Sequence, residues 1–412
     1  MKKLTIILGL LFLVGTALAE PIWVKDGTNF GGTFRDVHML DDSTGWAVGD
    51  AGKVYQRSGK LYPTSTEQVW FTKTIPALDP QVNWDFKGVC FANADNGWIV
   101  GYKNGDPGKY KGVILRTTDG GGSWSKTTSD SIQGLRYTPN ALTPFLKVKV
   151  NLYGSDYLGY ISCGNGYILK WNPITEQWAP TRPSTGTSDS LTIWYNSLWM
   201  NESDPNSLWV AGDQSCSFLQ SGDGGASWSD RNSGVFSQSY DWPPSTNTPL
   251  GTTVANLSMA GSGGGIYTGM GGGLAGYYSG VWSLLPPLGE DNWNYGMTVG
   301  PSNEIFTCGN TYRNVGALRK IQNDTVIFEK VSASLTSLSL KSLDFPPNSD
   351  HGRAVGANQI LHRYEPAIVT GINSYRTGTN GDTICVTWTT TKENNISKWE
   401  VCTSGLIAQD IG

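Results

Sequence analysis

Gly45-Trp46-Ala47-Val48-Gly49 and Gly97-Trp98-Ile99-Val100-Gly101 are two copies of one short apolar run that ends on glycine. Five more runs of this shape follow: GYISCG (Gly159–Gly164), LWVAG (Leu208–Gly212), GIYTG (Gly265–Gly269), EIFTCG (Glu304–Gly309) and GRAVG (Gly352–Gly356). Their closing glycines are separated by 52, 63, 48, 57, 40 and 47 residues. These intervals bracket the ~40–50 residues of one four-stranded propeller blade, so each copy reads as the second strand of a blade.

The flanking sequence completes the unit. Phe34–Met39 (FRDVHM), Phe86–Phe91 (FKGVCF) and Leu340–Phe345 (LKSLDF) read as period-2 inner strands. Third strands are expected at Lys53–Arg57, Gly112–Arg116, Tyr167–Trp171 and Gln359–Arg363. Fourth strands are expected to begin at an aromatic residue: Trp70, Trp124, Trp178, Trp228, Trp282 and Phe328. That series has six members against seven second strands, because Glu365-Pro366 follows the last third strand directly. Trp23, within Ile22–Lys25, can supply the missing member, so an N-terminal strand would cover the open sheet edge and close the ring. The fold class is therefore all-β, a seven-bladed β-propeller over residues 20–365. The 52 Gly, 17 Trp and 18 Tyr, with only 16% charged residues, suit short strands and tight turns better than amphipathic helices.

Two turns between third and fourth strands carry a sharper pattern. Thr117-Thr118-Asp119-Gly120-Gly121-Gly122-Ser123-Trp124 and Ser221-Gly222-Asp223-Gly224-Gly225-Ala226-Ser227-Trp228 both fit the Asp-box, S/T-x-D-x-G-x-S/T-W. In such a turn the carboxylate and the hydroxyls bond nearby backbone, Gly121 and Gly225 permit positive φ, and the Trp anchors the hairpin. Thr117, Asp119, Trp124, Ser221, Asp223 and Trp228 therefore read as structural, neither calcium ligands nor catalytic groups.

Lys2 and Lys3, the apolar run Ile6–Val14 and the small-residue site Ala17-Leu18-Ala19 form a secretory signal peptide over residues 1–19. The run is shorter than the ~20 residues a spanning helix needs, and no second one occurs, so no transmembrane segment is expected. Removing Lys2 and Lys3 leaves 28 basic against 34 acidic residues, a net charge of −6 with no basic run, which speaks against nucleic acid as a partner. The expected address is secreted, extracellular or at the cell surface, with the periplasm as an alternative.

The blade pattern, together with the two Asp-boxes, resembles the family of the photosystem II stability and assembly factor. That resemblance covers roughly Ile22 to Tyr364, and it implies a seven-bladed propeller that grips a partner protein on one face. Other Asp-box propellers include sialidases and xyloglucanases. After Pro366 the run Ile384–Val401 alternates like the opening strands of a fibronectin type III sandwich. Only 47 residues remain from Pro366, against the ~100 such a sandwich needs, so residues 366–412 are expected to be an incomplete segment.

Signatures of chemistry are few. His38, His351 and His362 show no metal-ligand spacing, no nucleophile elbow is present, and no cofactor or metal is expected. The six cysteines match no zinc or redox motif. Cys163 and Cys308 read as one register position in the third and sixth blades, nearly opposite across the ring, and Cys90 as a core residue. Cys385 and Cys402 fall out of parity with Val386, Trp388, Trp399 and Val401, and no bridge is assigned to them. Glycosidase chemistry needs two facing carboxylates; Asp189, Asp241, Glu290 and Asp291 are the loop candidates, with nothing in the sequence to pair them.

The loops that enter each inner strand share one face with the loops between second and third strands, opposite the Asp-boxes. Trp84, Tyr137, Tyr240, Trp242 and Trp293 fall in the first set, and Tyr102, Lys103, Tyr110, Lys111, Tyr312 and Arg313 in the second. Aromatics converging on one face suit a peptide or glycan ligand. The expected function is a non-catalytic exported binding propeller, of which an assembly or stability factor is one form; the alternative is a polysaccharide-acting glycoside hydrolase. When the full chain, leader included, is expressed in a secreting bacterial host, the mature protein is expected to begin at Glu20, which N-terminal sequencing reads directly.

Overall fold

The computed structural model describes residues 21–26, 30–59, 69–104, 110–135, 143–183, 193–212, 218–231, 258–262, 265–270, 273–285, 293–310, 316–322, 325–331, 339–364, 369–377, 383–390 and 399–404. The chain divides into two units, Trp23–Arg363 and a second comprising Met1–Ile22 with Tyr364–Gly412. Among the described residues the first unit contains a single turn of 3-10 helix, Ser129–Ser131, and otherwise strands. No helix of the described residues is long and apolar enough to cross a membrane.

Six four-stranded antiparallel sheets and one five-stranded sheet follow one another in the order the repeats predict. The first blade runs Phe34–Met39, Gly45–Gly49, Val54–Arg57, Trp70–Thr72, and the second runs Trp84–Phe91, Gly97–Lys103, Gly112–Thr117, Ser125–Thr128. Inner strands touch in sequence around a circle: Phe34–Met39, Trp84–Phe91, Phe145–Tyr153, Ser197–Met200, Ser258–Ser262, Trp293–Val299 and Leu340–Asp344, the last returning to the first. The core lies between the blades. One buried cluster joins Trp46, Val48 and Val54 to Phe86, Val89 and Leu115; the next joins Trp98 and Val100 to Phe145, Val148 and Ile161.

The last sheet is built as the N-terminal Trp suggested. From the centre outward its strands are Leu340–Asp344, Arg353–Gly356, Gln359–Tyr364 and Ile22–Lys25, with a short fifth strand, Lys330–Val331, beyond them. Trp23 is fully buried, lies edge-on to Phe345 and donates its indole N–H to Glu329. Glu329 also takes the fork of Arg363, with Nε at 3.0 Å and Nη2 at 2.9 Å.

The inner strands depart from simple alternation. Five carry a register shift near their start, between Phe34 and Asp36, Phe86 and Gly88, Phe145 and Lys147, Asn294 and Gly296, and Leu340 and Ser342. The period-2 reading of these runs needs correcting, because Val37 follows Phe34, and Val89 follows Phe86, at a spacing of three positions, not two. The extra residue is the bulge, and a bulge re-aims its side chain. Here the bulged residues are Arg35, Lys87, Leu146, Tyr295 and Lys341.

The bulge also explains the repeated glycine. Where the inner strand kinks, its backbone presses on the end of the second strand, so a Cβ at Gly49, Gly101 or Gly356 would collide with the carbonyl oxygen of Thr33, Asp85 or Ser339. In the third blade Phe145 pairs with Cys163, one residue before Gly164, so a cysteine holds the place of Gly49. Cys308 instead pairs with Gly296, after the bulge, so Cys163 and Cys308 differ in register by one, contrary to the reading from sequence. Both are buried free thiols, as is Cys90.

Phe328 is a second correction. It ends the strand Thr325–Phe328 and is 56% exposed, with the Arg319 guanidinium over its ring. Val326, opposite Ile321, packs inward where Trp70 does in the first blade.

Asp36 ties the inner circle together. Its carboxylate accepts from Val89 N at 3.1 Å, Lys147 Nζ at 2.9 Å and Ser342 Oγ at 2.7 Å, linking the first blade to the second, third and last. The second unit holds a three-stranded antiparallel sheet, Val369–Thr377, Thr383–Thr390 and Trp399–Ser404. Gly101→Ala is expected to destabilise the propeller severely, whereas Gly222→Ala, where a Cβ meets nothing within 4 Å, should leave the urea midpoint unchanged.

Candidate functional site

Both Asp-box turns spend their carboxylates locally. Asp119 Oδ1 accepts from Ser123 N and Thr117 Oγ1, each at 2.8 Å, and Oδ2 from Ser123 Oγ at 2.6 Å. Asp223 repeats this with Ser227 N and Ser221 Oγ at 2.8 Å, and with the Ser227 hydroxyl. Gly121 N and Gly225 N donate to the Thr117 and Ser221 hydroxyls at 2.8 Å, from backbone at φ +85° and +84°. The bonds from Ser123 and Ser227, then those from Thr117 and Ser221, draw both carboxyls down to about 2. Trp124 packs edge-on to Trp46, and the Trp228 indole donates to Gly225 O at 3.2 Å. Both oxygens of each carboxylate are engaged within the turn, so the arrangement clamps a hairpin.

The opposite face is built differently. Loops between second and third strands meet the entries to the inner strands there, beside the bulges. Arg35 grips Asp50, with Nε at 2.9 Å from Oδ1 and 3.0 Å from Oδ2, and Lys87 reaches the same Oδ1 at 3.2 Å. Asp85 accepts from Asn104 Nδ2 at 2.8 Å and Ala51 N at 3.2 Å, pinning the loops of the first two blades to each other. Lys87 Nζ stands 5.1 Å from the Tyr102 ring centre. Tyr102, Tyr110 and Trp194 form a half-exposed trio, with ring centres 5.2, 5.3 and 6.4 Å apart and all three pairs edge-on. Burial, then the charge of Asp85, pushes the Tyr102 phenol up to about 12, so it stays protonated.

Lys341 completes this rim. Its ammonium lies 3.5 Å from the Tyr295 ring centre, both on bulges of adjacent inner strands. Burial, then the neighbouring Arg35 charge, lowers it to about 8, against weaker support from Asp50, which Arg35 and Lys87 already hold. A desolvated ammonium above an aromatic ring is a seat for an anionic group.

Below the rim the inner strands enclose a channel of about 710 Å³ whose lining includes Asp36, His38, Lys147, Lys149, Trp199 and Asp344. Burial depresses His38 to about 4, leaving it neutral with Nε2 3.0 Å from Phe91 O. Enclosure in the channel wall raises the Asp344 carboxyl to about 7, although its oxygen accepts Met39 N at 2.7 Å. Among the described residues no group of three His, Cys, Asp or Glu side chains could hold a metal ion.

The residues expected at this face divide three ways. Trp84 is only 6% exposed and packs in the cluster between the first two blades, because its strand starts two residues earlier than the sequence suggested; its ring belongs to the core and is not available to a ligand. Trp293 opens the inner strand Trp293–Val299. Tyr137, Tyr240, Trp242, Tyr312 and Arg313 lie outside the described residues, as do the carboxylates Asp189, Asp241, Glu290 and Asp291. Trp194 was missed, since it follows a segment with no repeat signal. Arg35, Lys87 and Lys341 were legible in principle, as the basic residue after the first apolar position of each inner-strand run.

No family model and no curated protein matches this sequence. Solved structures match along most of its length. The structure described as YCF48 bound to a D1 peptide superposes with a TM-score of 0.56 at 19% identity, covering 85% of this chain and 98% of that one. The fold is that of a β-propeller. YCF48 from Cyanidioschyzon merolae gives 0.53 at 16%, covering 84% and 99%. A GH74 xyloglucanase from Xanthomonas campestris gives 0.53 at 13%, with 90% of this chain spanning 59% of that one. One architecture thus serves a peptide-bound protein and a hydrolase, and only the site of this chain can decide between them.

Proposed function

We propose that this protein is an exported, non-catalytic, seven-bladed propeller that binds an extended, acidic segment of a partner protein across its loop-rich face. The observation that carries the reading is the convergence of Tyr102, Tyr110 and Trp194 with the cations that the bulges raise beside them. Half-exposed aromatics held edge-on supply a rigid apolar platform at low entropic cost. Among the described residues, Arg35, Lys87 and Lys341 stand beside two carboxylates, Asp50 and Asp85, a local surplus of one positive charge despite the acidic chain. The D1 peptide bound to YCF48 supports the reading as precedent for a peptide ligand on this fold. The leader peptide supports export, and the three-stranded sheet of the second unit is read as part of a fibronectin type III-like segment.

The test is an array of immobilised linear peptides of graded charge, probed with the full chain. Wild type is expected to retain acidic peptides at neutral pH. Lys341→Met should lose about tenfold in affinity or more, the scale of one charge-assisted hydrogen bond. Lys341 loses its proton as the pH rises through about 8, so retention should fall across that range and recover at lower pH. Tyr102→Ala with Trp194→Ala should abolish retention while leaving the melting temperature within a few degrees. Indifference to these changes, or release of reducing sugar from xyloglucan, would favour the hydrolase reading.

A further inference from the structure

We propose that Cys385 and Cys402 form an intramolecular disulfide that locks the strands Thr383–Thr390 and Trp399–Ser404 of the second unit to each other. The backbone places these residues directly opposite in the antiparallel ladder, between the pairs Ile384–Thr403 and Val386–Val401. Directly opposed residues have Cα atoms about 4.5–5.5 Å apart, inside the span of about 4.4–6.8 Å that a disulfide bridges. Alternation puts Val386–Val401 and Trp388–Trp399 on one side of the sheet, and Cys385–Cys402 on the other with Thr383–Ser404 and Thr387–Glu400. Being out of parity with the apolar set, which counted against a bridge when the strands were read singly, is the property the two cysteines share. They stand on the polar side as a pair.

The remaining described cysteines are poor competitors. Cys90, Cys163 and Cys308 are buried singly in three different blades. Burial raises the Cys90 thiol, raises that of Cys163 well above its ordinary value, and pushes that of Cys308 up to about 12. The reactive species is the thiolate, so these three exchange slowly.

The bond forms by exchange with a small disulfide such as oxidised glutathione. One cysteine thiolate attacks it, giving a mixed disulfide and releasing one glutathione thiolate. The second cysteine thiolate then attacks the protein-bound sulfur, closing the bridge and releasing the other glutathione. Two protein thiols are oxidised and one glutathione disulfide is reduced to two thiols. The bridge closes a loop of 16 intervening residues and fixes the register, since a slip by one position would part the two sulfurs. In the cell the bond also rests on export to an oxidising compartment; in a defined redox buffer it does not, so the two ideas fail separately.

The full chain, equilibrated with oxidised glutathione, is unfolded without reductant, alkylated, digested and examined by mass spectrometry. The expected product is one cross-linked peptide pair joining Cys385 to Cys402, two hydrogens lighter than the sum of its reduced parts, with the other four cysteines alkylated. Alkylation of both residues, or their linkage to Cys216, to glutathione or to a second chain, overturns the proposal. Amide exchange over residues 383–404 should slow at least tenfold on oxidation in wild type, and not in Cys385→Ser, while exchange at Ile99 and Val100 stays constant. Equal exchange in the oxidised and reduced wild type would overturn the locking role.

Discussion

A row of blades has two free edges until its last sheet is joined to its first, and in this protein the joint turns on one buried carboxylate. Asp26 follows the strand Ile22–Lys25, where its N–H bonds Ile360 O in the last blade at 2.9 Å. Its Oδ2 accepts Arg353 Nε of the last blade at 2.8 Å, and Trp70 Nε1 and Arg57 Nε of the first at 2.9 and 3.3 Å. Asp26, Arg57 and Arg353 are all fully buried. Burial raises the Asp26 carboxyl, but the two guanidiniums outweigh it and hold the group below its ordinary range. Spare guanidinium protons go to carbonyls, Arg57 Nη1 to Asp42 O at 2.8 Å and Arg353 Nη1 to His351 O at 2.7 Å. Such a cluster costs heavy desolvation and is worth keeping only when every partner is present.

Closure has consequences inward. With the last blade fixed, Ser342 and Asp344 reach Asp36 Oδ1 and Met39 N across the seam, and the Arg35 and Lys341 bulges come to one rim. The same seam therefore supports both the circle of inner strands and the face proposed to bind. The Asp-boxes take no part in this seam; they stiffen hairpins on the far side and touch the preceding blade there, Trp124 on Trp46 and Gly224 O on Lys170 Nζ.

The order of blades and the N-terminal outer strand were legible because both follow from periodicity and edge coverage, which are properties of the chain read locally. Val326 was hidden, because a valine gives no signal among the tryptophans of its series, and the exposed Phe328 stood two residues away. The bulges were visible as a spacing of three but look like alternation when only the apolar ends are counted. Asp26 gave no sign at all: a lone aspartate after a short strand becomes a clamp only when arginines 31 and 327 residues away converge on it. For the same reason Trp84 looked like loop and Trp194 looked like nothing, since burial of a single aromatic depends on the neighbouring blade.

The measurement closest to the central claim is the urea midpoint of Asp26→Asn against that of wild type, with Asp156→Asn, at an exposed position, as the control. The variant strands two buried guanidiniums, so the midpoint should fall by the equivalent of about 3–5 kcal/mol while the control stays within about 0.5 kcal/mol. A midpoint for Asp26→Asn equal to that of the control would contradict closure by this carboxylate.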